Sequence, residues 1–274
     1  MIIDSLTHIL PKEISDEIEK YKNIDTTFNK LFEQKTKIIQ AKELIEEISK
    51  NNIDKAVVAG FGWQNDELAS MVNQYIIESK NNYPNKIIPF CSINIKSKKS
   101  EEELLKCIDK GIKGIGELHF NYEEDYERNK IYKNILKIAH ENNLPIIIHG
   151  SEPVGHNYNG KGINHPQKLY HLAKNNPDNI FIFSHFGGGL IFYEQMPEVK
   201  KILRNVYYDC SAQPFLYNKS IFKMVLSNST LEKVLFATDF PLLDIKRCLN
   251  EISHLEIEEK KHILSYNPIS VFNL

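Results

Sequence analysis

The feature that most constrains this chain is a rhythm. Short apolar runs recur along it, with helix-length amphipathic segments between them. The runs cover residues 2–9, 55–61, 87–94, 112–120, 145–150, 180–186, 206–212 and 234–240. Several, such as PIIIHG and IFIFSHF, are nearly continuous hydrophobes rich in Ile and Phe. Strands covered on both faces read this way, whereas a strand with one wet face alternates apolar with polar residues. The segments AKELIEEISKNN, NDELASMVNQYIIESKNN, EEELLKCIDK and RNKIYKNILKIAHENN read as helices, and in the last Ile131, Ile135 and Ile138 share one helix face. Eight strands alternating with helices over 274 residues predict an α/β fold, a single (β/α)₈ TIM-barrel domain spanning residues 1–274. A doubly wound open sheet is the alternative, but no glycine-rich nucleotide turn follows the first strand.

Two connections are long. Residues 10–40 hold an extra helical insertion after the first strand, expected over residues 12–21, which distorts the barrel. Residues 151–164, SEPVGHNYNGKGIN, follow the fifth strand. Loops after strands line the catalytic face of such a barrel, so both are candidate lid or substrate loops.

Charge excludes some partners. Lys plus Arg is 34 and Asp plus Glu is 36, a net charge of −2, so no basic surplus points to nucleic acid or an acidic membrane. No segment approaches the roughly 18 apolar residues of a membrane span. The apolar start is only Met1-Ile2-Ile3 before Asp4, too short for a secretory signal. Cys91, Cys107, Cys210 and Cys248 form no CxxC pattern. The expectation is a reduced, cytoplasmic enzyme acting on a small molecule, with no nucleic-acid or membrane partner.

Polar residues fall at repeated places in the rhythm. His8 ends the first strand, Glu117 and His119 the fourth, His149 the fifth, His185 the sixth and Asp239 the eighth. In a barrel all six converge on one mouth. One strand-end histidine is commonly structural, but the same placement on five strands is hard to ascribe to accident. Imidazole and carboxylate together suit zinc and similar divalent ions, which need about three protein ligands and one open position. A further His or Asp can then move a proton. No GxSxG elbow offers a serine nucleophile instead.

The opening IIDSLTHILP, together with GIGELH, PIIIHG, IFIFSHFGGG, VLFATDFP and LSYNPISVFNL, resembles the amidohydrolase superfamily, in the subgroup of aminocarboxymuconate semialdehyde decarboxylase, resorcylate decarboxylases and many related metal-dependent hydrolases. The resemblance runs nearly the full length. It implies one divalent metal, most simply zinc, held by His8, His149 and Asp239. It also implies that His185 is the acid/base, that Asp239 can take a proton, and that a homodimer is a possible assembly. Leu6 departs from the pattern, because it stands where the family places the first histidine of a His-x-His pair. Three readings follow. His8, His149 and Asp239 hold the ion alone; Glu117 supplies the missing ligand; or the site works without metal. Strict alternation also puts Asp4, Leu6 and His8 on one strand face.

Four further residues are candidates for substrate binding: Trp63 at the end of the second strand, His119, and His156 and Tyr158 in the loop 151–164. The expected activity is metal-dependent hydrolysis of a small amide, ester or lactone-like substrate. The alternatives are non-oxidative decarboxylation of a small unsaturated or aromatic acid, and ligand binding without turnover.

Overall fold

The computed structural model describes residues 1–32, 36–119, 129–226 and 230–274. Eight strands, β1 (Ile3–Thr7), β2 (Lys55–Val58), β3 (Ile87–Cys91), β4 (Gly114–Leu118), β5 (Ile146–Ile148), β6 (Phe181–Phe183), β7 (Val206–Asp209) and β8 (Val234–Leu235), form one sheet. Their order is sequential, β1 to β8, and every neighbouring pair is parallel. Residues just past β8 close the ring onto β1. Ser5 N donates to Phe236 O at 2.8 Å, Asp239 N to Leu6 O at 3.0 Å and His8 N to Phe240 O at 2.8 Å. With helices in the connections this is a (β/α)₈ barrel. Phe120 and Arg128, which end the predicted strand 112–120 and begin the predicted helix 128–143, lie outside the described residues.

The apolar runs sort into two layers. Ile3, Leu6, Val57, Ala59, Ile88, Phe90, Ile147, Ile182, Leu235 and Ala237 fill the barrel interior. Val271 and Phe272, from the helix Asn267–Phe272, join them and plug the barrel, with Phe272 edge-on to Phe90 at 5.7 Å between ring centres. The larger apolar layer lies between the strands and the outer helices, for example Ile135, Leu136 and Ala139 on the helix Lys130–Glu141. Such two-sided burial is why the strands read as unbroken hydrophobes.

Two expectations need correcting. The insertion after β1 is not one helix over 12–21 but three short ones, Lys12–Asp16, Ile18–Ile24 and Thr26–Leu31. Asp25 caps the third by accepting from Phe28 N, and its other oxygen accepts from Gln64 N and Asn65 N, which ties the insertion to the loop after β2. Nor does strict alternation hold in β1. Its pairing with β2 is irregular between Asp4 and Thr7, so Ile3 and Leu6, three residues apart, share the interior layer.

Candidate active site

The predicted strand-end residues do converge. His8, Glu117, His119, His149, His185 and Asp239 line the floor of one cavity of about 620 Å³. Local backbone form sets several of them. Gly116, at φ +138°, has Ile147 O where a Cβ would lie, 2.6 Å away, so only glycine lets β4 approach β5 and present the next residue, Glu117. His185 (φ 58°) and Asp239 (φ 60°) are left-handed, a form non-glycine residues adopt at a cost and keep where the surroundings hold them.

Glu117 is the hub. Its Oε1 lies 3.2 Å from His149 Nδ1, and its Oε2 lies 3.3 Å from His119 Nε2 and 3.7 Å from His8 Nε2. His185 Nε2 approaches His149 Nδ1 at 3.2 Å, and His8 Nε2 approaches Asp239 Oδ1 at 3.0 Å. Backbone carbonyls choose the working nitrogens. His8 Nδ1 donates to Ala59 O at 2.9 Å and His185 Nδ1 to Ser211 O at 2.9 Å, so in both rings Nε2 faces the cluster. Behind His185, Asp209 Oδ1 accepts from the backbone N–H of His185 and of Ser211, and the Ser211 hydroxyl bonds the same oxygen. His119 stacks on His149 at 4.4 Å, and Phe61 stacks on His8 at 4.1 Å.

Burial and charge oppose each other here. Burial works to raise the Glu117 pKa, but His119 and His149 together hold it well below the usual carboxylate range. For His8, burial disfavours the cation, yet the Asp239 and Glu117 carboxylates outweigh it and raise the imidazole pKa. His185 is likewise raised against burial, by Glu117, Asp239 and Asp209. His119 is lowered, by burial first and then by His149.

The arrangement has the dimensions of a cation site. The donor atoms of a tetrahedral ion with bonds of about 2.0–2.1 Å lie about 3.3 Å apart. Glu117, His149 and His185 place ligating atoms within 4.8 Å of one another, all three buried. His8 Nε2 and His149 Nε2 are buried and make no aligned hydrogen bond within the protein, so their surroundings suit a partner from outside the chain. The residues fit a divalent metal.

Above the floor the walls are apolar: Leu10, Leu31, Phe32, Ile39, Phe61, Phe215 and Leu216. His156 and Tyr158 stand at the mouth, as the loop 151–164 was expected to place them. Trp63 does not reach the cavity. It is 1% exposed and packs behind Phe61, which forms the wall in its place. Sequence reasoning missed Phe61, Asp209 and Ser211. Asp209 was findable, since it ends an apolar run as the other site residues do.

Among solved structures the fold has clear likenesses, all below 25% identity. The 5-carboxyvanillate decarboxylase of Novosphingobium aromaticivorans superposes with a TM-score of 0.80 at 15% identity, covering 100% of this chain and 97% of that one. A 2,6-dihydroxybenzoate decarboxylase from Rhizobium gives 0.69 at 14%, covering 99% and 98%. A probable 2-pyrone-4,6-dicarboxylic acid hydrolase of Acinetobacter baumannii gives 0.68 at 14%, covering 100% and 99%. No curated protein matches the sequence. The amidohydrolase family model matches residues 35–274, including the segments that carry Glu117, His149, His185 and Asp239, and the chain therefore belongs to the amidohydrolase family.

Proposed function

We propose that this protein is a metal-dependent, non-oxidative decarboxylase of small aromatic or similarly unsaturated carboxylic acids. The carrying observation is the contrast within one cavity: a buried histidine–carboxylate floor beneath walls of Phe32, Phe61, Phe215 and leucines. Glu117, His149 and His185 would hold the ion, zinc or manganese, because their ligating atoms share one neighbourhood. A divalent cation held there would supply Lewis-acid stabilisation of charge on the substrate's oxygens. The apolar walls strip water from the substrate carboxylate and leave a planar ring to stack on Phe61. As the C–C bond breaks, its electron pair stays on the ring carbon and CO₂ departs. His8 then delivers a proton from Nε2 to that carbon, and Asp239, 3.0 Å away, supports the imidazolium. The fixed Nδ1 bond to Ala59 keeps Nε2 aimed inward throughout.

Two of the three structural neighbours described above are decarboxylases, and one of those was seen with manganese and a methoxy-hydroxy-nitrobenzoic acid. This supports the lyase reading over the hydrolysis expected from sequence. Hydrolysis of a lactone-like substrate is the second reading. It is favoured by the His8–Asp239 pair, which can take a proton from an attacking water as readily as it can give one to carbon.

The deciding assay offers the metal-loaded protein a panel of hydroxybenzoates and measures CO₂ release beside the decarboxylated phenol. One CO₂ per phenol supports the proposal. Acid release from lactones or esters, with no CO₂ from any acid, selects the second reading.

A further inference from the structure

His185 reaches the cavity floor from a strained stretch of backbone, and what holds it there lies outside the cavity. β6 ends at Phe183, whose register partner on β7 is Tyr208. Two residues on, His185 and Phe186 are both left-handed, at φ 58° and 55°. A side chain makes that form unfavourable, and two in succession need an external hold. The turn also takes the backbone N–H of His185 out of the sheet ladder, so it needs another acceptor.

That acceptor is Asp209, the last residue of β7. Its Oδ1 accepts from His185 N at 3.2 Å, from Ser211 N at 2.9 Å and from the Ser211 hydroxyl. Ser211 in turn meets the imidazole: its carbonyl oxygen lies 2.9 Å and its hydroxyl 3.0 Å from His185 Nδ1. One carboxylate oxygen thus fixes both the backbone of His185 and the residue that receives its ring. A carbonyl can only accept, so Nδ1 carries the proton and Nε2 keeps its lone pair, facing His149.

Asp209 and Ser211 are fully buried and do not line the cavity, so their effect on the site passes through His185. Asp209 Oδ2 is buried and makes no hydrogen bond among the described residues. All three donors converge on Oδ1, a role that an amide oxygen could fill as well as a carboxylate.

Resting on the reading of Glu117, His149 and His185 as metal ligands, we infer that Asp209 is a positioning residue of the metal site. Through Ser211 it locks His185 in the Nδ1–H tautomer, with the Nε2 lone pair aimed at the cation. It works by the oxygen it presents, not by its charge.

The test reads tautomer and metal separately. In metal-free wild type at about pH 9, above the ordinary imidazole range, proton–nitrogen correlation spectra should show His185 protonated at Nδ1, its signal assigned by loss in His185→Gln. Asp209→Ala should give mixed tautomers and bind manganese about 10–100-fold more weakly. Asp209→Asn should restore the single tautomer and bind manganese within about twofold of wild type. Should Asp209→Ala not fold, Ser211→Ala, which removes only the hydroxyl, should weaken manganese binding about fivefold. A lower unfolding free energy for Asp209→Ala, with tautomer and manganese affinity unchanged, would mean a merely structural role and overturn the inference. So would a wild-type ring protonated at Nε2, a folded Asp209→Asn that still loses manganese, or no effect of Ser211→Ala. Wild type that binds no manganese, yet shows an Asp209-dependent tautomer, would sink the metal reading alone.

Discussion

At the scale of single residues, Glu117 and Leu6 decide what kind of centre this is. Leu6 is fully buried in the barrel interior and offers no ligand, while the Glu117 carboxylate touches three imidazoles. If Glu117 binds the ion, Glu117→Gln should lower metal affinity at least about tenfold, read by metal content after dialysis. On the proposed mechanism His8→Ala should keep the metal and lose turnover; loss of metal in that variant would place His8 among the ligands instead. Asp4 gives a prediction about stability. It is wholly buried and accepts from Thr238 N, Thr238 Oγ1 and Leu6 N, yet burial outweighs those bonds and pushes its pKa up to about 7. A carboxyl that holds its proton more tightly when folded favours the native state at low pH. That advantage is complete below the ordinary value of 3.8 and is lost as pH rises to about 7, on the order of 4 kcal/mol in all. Urea unfolding across pH 4 to 7 should show this decline, and Asp4→Asn should flatten it. The site residues themselves were legible in sequence because each ends an apolar run. Their grouping was not, because which nitrogen of His8 or His185 faces inward depends on carbonyls at Ala59 and Ser211, distant in the chain.

At the scale of elements, the β/α rhythm carried the architecture. Buried strands must be apolar on both faces, and that leaves a readable trace in composition. Local geometry left less. The irregular pairing of β1 arises from contacts with β2 and with the segment after β8, which no window around Leu6 contains. Trp63 looked like a pocket wall because it follows a strand, but the insertion helix Thr26–Leu31 sets Phe28 against it and buries it. The closing helix gives a clean test of the barrel plug. Phe272→Ala should cost about 3–5 kcal/mol in unfolding free energy. Activity per folded molecule should stay unchanged, since Phe272 does not line the cavity. A drop in activity without loss of stability would contradict the separation of plug and site.

At the scale of the whole molecule, the site depends on the ring being closed. His8 belongs to the end of β1 and Asp239 to the turn after β8, and beneath them Asp4 bonds Thr238 across a sequence separation of 234 residues. Among the described residues no helix is long and apolar enough to cross a membrane. The seam between β1 and residues 236–240 has a consequence for how the protein is made. During synthesis β1 must wait, its edge groups unsatisfied, until the segment 236–240 has left the ribosome. A growing chain would thus carry β1 to β7 and five of the six floor residues while lacking Asp239, the carboxylate 3.0 Å from His8. The floor is complete only once Asp239 is in place, and until then an open sheet edge is the hazard that a folding helper would have to shield.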